Sequence, residues 1–291
     1  MPLSRNVDRV ATRKSTSRHA LNYLHYGIRE GDLLHISQVP RGLSCECVCP
    51  ACHKSLVAKK GRQREHHFAY ASGNSCQHAI ETALHLAAKD VLARRREIVL
   101  PAIEIRFPYD KSVNYDFSTK VVTIAPEQHY QLDSVELEHR VSEIIPDVLA
   151  KVKNRSLLIE IRVTHKIDER KLKKIQDLNM SCIEIDLSNM PRNFSEEDIE
   201  KWIIEAGPHK RWIHNVTIEQ RRQRILSQAT SRPLFTNRIL LTEFVCNCPL
   251  EEHAKSYWIN EKRYADFMYE CVYCKHFLAK DYERGSVICD A

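Results

Sequence analysis

Two carboxylates stand in otherwise apolar runs near the middle of the chain: Asp147 in Ile145-Pro146-Asp147-Val148, and Glu160 in Ile159-Glu160-Ile161-Arg162. The runs read as two strands joined by a tight turn at Lys153-Asn154-Arg155. With Lys153-Asn154 as a two-residue hairpin loop, Val152 pairs with Arg155, and the same register sets Asp147 opposite Glu160. Opposed Cβ atoms lie roughly 4.5–5.5 Å apart, a spacing at which like charges destabilise a sheet unless something positive sits between them. A divalent cation suits the place. Magnesium takes one or two carboxylates and completes its shell with water and phosphate oxygens. Arg162 is expected on the same face. An acidic pair beside a cation fits metal-assisted attack on a phosphodiester, with Arg162 stabilising transition-state charge. Arginine is a poor proton acceptor, so Lys171 or Lys174 on the following helix is an alternative source of a catalytic lysine. The plainer reading makes both acids solvated surface groups, or pairs Glu160 with Arg162 structurally. The apolar flanks argue against full exposure.

The 11 cysteines fall in two clusters, with Cys182 alone in an expected strand. No secretory signal is legible at the N-terminus, which points to a reducing, cytoplasmic setting and to metal ligands rather than disulfides. The first candidate zinc set is Cys49-Pro-Ala-Cys52 with His67 and Cys76; His66, Cys45, Cys47 and His78 are alternatives. The second is Cys246, Cys248, Cys271 and Cys274, with His253, His276 and Cys289 nearby. Four protein ligands leave no open position, so both zinc sites are expected to be structural.

These groups need elements to hold them. A helix is expected from about Gln77 to Arg96, its face formed by Ile80, Leu84, Ala88, Val91 and Leu92. Glu81, His85 and Lys89 recur every four residues as a polar stripe beside that face. An earlier helix is expected near Ala20–Tyr26 and a strand at Asp32–Val39. Further strands are expected at Glu97–Ile105, Val121–Ile124, His129–Glu138, Glu143–Val152, Ser156–Thr164 and Ser181–Leu187. Helices are expected at Asp168–Leu178, from Ser195 to about Glu205, and at Val216–Gln228. The strand–helix–strand order around Asp168–Leu178 makes a βαβ unit. Net charge of +6 permits nucleic-acid binding without demanding it. No phosphate-binding glycine loop and no run of eighteen apolar residues occurs, so nucleotide hydrolysis and a membrane span find no support.

The P-D-x12-E-x-R pattern resembles the PD-(D/E)xK nuclease motif, with Arg162 where lysine is usual. The wider pattern is similar to the competence protein CoiA-like nuclease family over roughly residues 40–215. The carrying pieces are R-G-L-S-C-E-C-V-C-P-A-C, L-V-A-K-K-G, H-H-F-A, C-x4-E-T-A-L-H-x3-K from Cys76 to Lys89, I-P-D-V, I-E-I-R-V-T-H-K-I-D and I-E-I-D-L. The resemblance implies an α/β fold: a restriction-endonuclease-like mixed sheet flanked by helices, joined to a zinc-binding N-terminal module. The cysteine-rich C-terminus lies outside it. On that likeness Asp147 and Glu160 are Mg2+ or Mn2+ ligands and Glu81 is the helix carboxylate. Tyr70 departs from the family, standing where a second histidine is common, which favours Cys76 as the fourth zinc ligand.

The expected organisation is an N-terminal segment at 1–42, a zinc module at 43–78, a nuclease-like domain at 79–215, and a basic helix with a cysteine-rich, zinc-ribbon-like module at 216–291. The expected activity is Mg2+-dependent hydrolysis of DNA, in uptake, recombination or phage defence. His85, Lys89, His165, Lys171 and Lys174 would line the phosphate path. A homo-oligomer or a partner protein is compatible with this. The competing reading is a catalytically inactive nucleic-acid-binding zinc protein of the same fold, and a third is a protein-interaction adaptor without salt-sensitive DNA binding.

Overall fold

The computed structural model describes residues 23–107, 120–239, 241–250, 257–259 and 262–291. They form two compact units, one running up to Ala83 with Pro191–Phe194, the other comprising 84–190 and 195–291.

In the first unit, β1 (Tyr26–Arg29) and β2 (Asp32–His35) form an antiparallel hairpin. Its two-residue loop, Glu30-Gly31, has positive φ at both positions (54° and 98°), as a type I′ turn requires. Tyr26 therefore opens a strand instead of closing the expected helix; Ala20 lies outside the described residues. The expected strand at Asp32–Val39 ends at His35, whose side chain caps a short 3-10 turn at Ile36–Gln38. A second hairpin joins β3 (Leu56–Lys59) to β4 (His67–Tyr70). Between the hairpins lies a small core in which Cys45, Cys47 and Cys49 pack with Leu24, Ile36, Leu56 and Phe68. Gly27 allows this packing: a Cβ there would stand 3.0 Å from Cys47 Cβ.

Helix α1 (Ala79–Arg95) follows, with Leu84, Ala88, Val91 and Leu92 buried as their spacing predicts. Then come β5 (Glu97–Leu100), β6 (Ile103–Phe107), β7 (Lys120–Ala125) and β8 (Gln128–Gln131), pairing β5 with β8 and β6 with β7. The single strand expected at Glu97–Ile105 is thus two, parted at Pro101, which has no N–H to give a ladder.

The central sheet of the second unit holds β9 (Ser134–Leu137), β10 (Val148–Val152), β11 (Arg155–Arg162), β12 (Ser181–Asp186) and β13 (Lys210–His214), in the order β13-β12-β11-β10-β9. Between them in the chain lie α2 (Glu169–Asp177), capped by Asp168, and α3 (Glu196–Ile204), capped by Ser195. Strands β11 and β12 run parallel across α2, the expected βαβ unit, and the other pairs are antiparallel. Leu157–Ile161 of β11 are all buried, matching the apolar run.

Helix α4 (Val216–Gln228) leads to six antiparallel strands: β14 (Thr230–Asn237), β15 (Thr242–Cys246), β16 (Tyr257–Ile259), β17 (Lys262–Asp266), β18 (Phe277–Asp281) and β19 (Ser286–Cys289), ordered β16-β17-β15-β14-β19-β18. The fold is mixed α/β. Among the described residues no helix is long and apolar enough to cross a membrane.

Candidate metal centre

The β10–β11 turn sets the geometry. Lys153 and Asn154 both have positive φ (48° and 63°) and Val152 pairs with Arg155, a two-residue type I′ loop. Val148 pairs with Ile159, so the next position outward sets Asp147 against Glu160. Asp147 stands just before β10, where Glu138 N–H donates to its carbonyl at 3.1 Å. Its side chain continues the ladder, Oδ2 accepting from Ile161 N–H at 2.7 Å.

Helix α1 and helix α2 bring basic side chains to this pair. His85 Nε2 lies 3.0 Å from Asp147 Oδ2 and Lys89 Nζ 3.6 Å from Oδ1. Lys89 is buried and also donates to Glu138 at 2.7 Å. Lys171 Nζ donates to Glu160 Oε2 at 2.7 Å. Glu160 Oε1 is buried and has no hydrogen-bond partner, a vacant acceptor of the kind a cation satisfies. The electrostatics differ across the pair. Burial pushes Glu160 up to about 7, Asp147 adds to the rise, and Lys171 offsets only part of it. Burial also opposes ionisation of Asp147, but His85, the Ile161 N–H and Lys89 outweigh it and hold that carboxyl below its ordinary value.

The remaining expected residues divide. Arg162 has its guanidinium engaged on the neighbouring strand: Nη1 donates to Asp186 at 2.7 Å. The parallel register aligns Arg162 with Asp186 and Glu160 with Glu184, so the neighbouring strand captures the guanidinium. Lys171 therefore supplies the cation on Glu160. Lys174 is turned to Glu143 at 3.1 Å, and His165 is exposed in the bend after β11. Glu81 lies one turn before His85 on α1, 3.7 Å from His78 Nδ1. Sequence reasoning missed Glu138 and Glu184. Glu184 is fully buried, with Arg211 Nε at 2.8 Å from Oε1 while Oε2 has no partner. The alternation in I-E-I-D-L carried that signal. At the loop end of the hairpin, a cavity of about 470 Å³ is lined by Tyr130, Lys153, Arg155 and Trp212; the carboxylates are not in its walls.

In the first unit the sulfurs of Cys49, Cys52 and Cys76 lie within 4.8 Å of one another, a group able to hold a metal such as zinc. The N–H groups of Ala51 and Cys52 point at Cys49 Sγ, at 3.4 and 3.5 Å. Burial would raise the Cys49 thiol, but the Tyr70 hydroxyl and these amides bring it below its ordinary value. His67, expected as the fourth ligand, is elsewhere. Its ring stacks on Tyr23 at 4.2 Å and its Nδ1 lies 2.8 Å from the Glu65 carbonyl. Tyr70 instead reaches the cysteines, its hydroxyl donating to Cys49 Sγ at 3.0 Å. The register explains it: Tyr70 pairs with Leu56, near the cysteine turn, and His67 with Lys59, three residues or about 10 Å further along the strand.

At the C-terminus, Cys246, Cys248, Cys271 and Cys274 are not drawn together in the same way. Among the described residues no group of three or more outside Cys49, Cys52 and Cys76 meets that spacing. His253 lies outside the described residues. No family model, curated protein or solved structure matches this chain.

Proposed function

We propose that the carboxylate centre binds Mg2+ or Mn2+ and hydrolyses phosphodiester bonds of DNA, on a restriction-endonuclease-like sheet of the CoiA-like kind. The observation carrying this reading is the unpartnered, buried Oε1 of Glu160 opposite Asp147, with Lys171 on the other oxygen of the same carboxylate. Asp147 and Glu160 would hold the ion. When bound, it polarises the phosphate and lowers the pKa of an attacking water. Lys171 holds positive charge where the phosphoryl oxygens gain negative charge, the role the sequence had suggested for Arg162. His85 and Lys89 keep Asp147 ionised and in place. Arg162 positions the site by fixing β11 to β12.

Two features of the first unit favour a nucleic-acid substrate. A cleft of about 820 Å³ has Arg41, Lys59, Arg62 and Arg64 in its walls, a lining suited to phosphates. Zinc on Cys49, Cys52 and Cys76 would brace the β3–β4 hairpin that carries Lys59, Arg62 and Arg64. Linear, circular and single-stranded DNA incubated with Mg2+ or Mn2+ tests the activity. Cutting that stops with chelator and in Glu160→Ala is expected. DNA left intact under every condition, yet bound in a salt-sensitive way, would move the protein to the non-catalytic DNA-binding reading.

A further inference from the structure

We propose that the C-terminal sheet carries a thiolate site for a zinc-like metal ion, formed by Cys248, Cys271, Cys274 and Cys289, with Cys246 outside it. All four residues line one cavity of about 20 Å³, room for about one small ion or water. Cys246 is not in its walls. The split between Cys246 and Cys248 has a backbone cause. Asn247 has φ of 57°, which breaks the strand alternation and turns Cys248 away from the β15 ladder.

The neighbouring contacts hold the segments for a metal. Cys271 and Cys274 flank a tight turn, closed by Cys274 N–H donating to the Cys271 carbonyl at 3.0 Å, the x2 spacing that gives two ligands from one loop. The His276 N–H points at Cys274 Sγ at 3.4 Å, as Ala51 does at Cys49. Arg232 Nε donates to Cys289 Sγ at 3.1 Å, and the same guanidinium donates to the carbonyls of Asn247 and Ala291. One side chain therefore clamps the strand end bearing Cys289 beside the loop bearing Cys248. The His276 ring is engaged with Asp290 at 2.9 Å, so the donor set is all sulfur. In any three of the four, at least one sulfur separation exceeds 4.8 Å. Binding would draw them to the edge of about 3.8 Å that a Zn–S bond near 2.3 Å dictates. Four thiolates suit Zn2+ over the hard cation of the carboxylate centre.

The test is thiol alkylation of the full chain, mapped cysteine by cysteine by mass spectrometry, after zinc loading and again after chelation. Labelling of Cys248, Cys271, Cys274 and Cys289 is expected to rise together by about tenfold or more on chelation, with Cys246 unchanged. Zinc content gives the second readout: Cys289→Ser should lose one equivalent and Cys246→Ser none. Chelator-independent labelling of the four would overturn the site. Protection of Cys246 in place of Cys289 would overturn this ligand set. Because the alkylation map uses the unaltered chain, it stands even if Cys289→Ser does not fold.

Discussion

Glu160 carries a cost that its neighbours only partly relieve. Its carboxyl is pushed from 4.5 to about 7 by burial, so the folded chain keeps a proton that the unfolded chain has lost. Folding stability in metal-free buffer should therefore fall as pH rises from about 4.5 to 7, by about 3 kcal/mol, and level off above that. Glu160→Gln should flatten the fall and be the more stable chain above pH 7; urea melts at pH 5 and 8 would read this directly. An equal fall in the variant would place the titration elsewhere. The two basic residues near Glu160 make a sharper pair. Lys171→Met should lower cleavage by about 100-fold or more, because Lys171 is the charge on Glu160. Arg162→Lys should stay within about tenfold, since the Asp186 partner needs only a cation nearby. Initial rates in the reverse order would return the catalytic role to Arg162.

The β10–β11 hairpin was legible in the sequence because its register follows from a two-residue turn, a local rule. Its left-handed loop residues, at φ of 48° and 63°, give it a test. Asn154→Ala should cost about 1–2 kcal/mol and Asn154→Gly much less, measured as a shift in the urea midpoint. Equal losses would mean the loop does not set the register. What was not legible depended on which elements meet across long chain separations. The capture of Arg162 by Asp186 needs the alignment of two parallel strands joined by α2, which no local pattern gives. The separation of His67 from the cysteines was nearer to hand: the cysteine turn reaches the Leu56 end of its hairpin, and strand spacing alone puts His67 too far. That Cys289 lines the same cavity as Cys248 depended on the Arg232 clamp and the positive φ of Asn247.

At the scale of the molecule, chemistry is divided among separate places. Thiols gather at Cys49, Cys52 and Cys76 in the first unit, carboxylates in the central sheet, and a second thiol cavity in the C-terminal sheet. Soft and hard ligand sets thus draw on different residues, which suits different ions at each. The central claim is that the carboxylates are a metal centre and not a buried ion-pair network. Titration of zinc-loaded protein with Mn2+, followed by electron paramagnetic resonance at pH 8, tests it most directly. One bound Mn2+ per chain is predicted for the unaltered protein, lost in both Asp147→Asn and Glu160→Gln, with the zinc content unchanged. Manganese binding that is absent from the unaltered chain, or equal in all three proteins, would contradict the account.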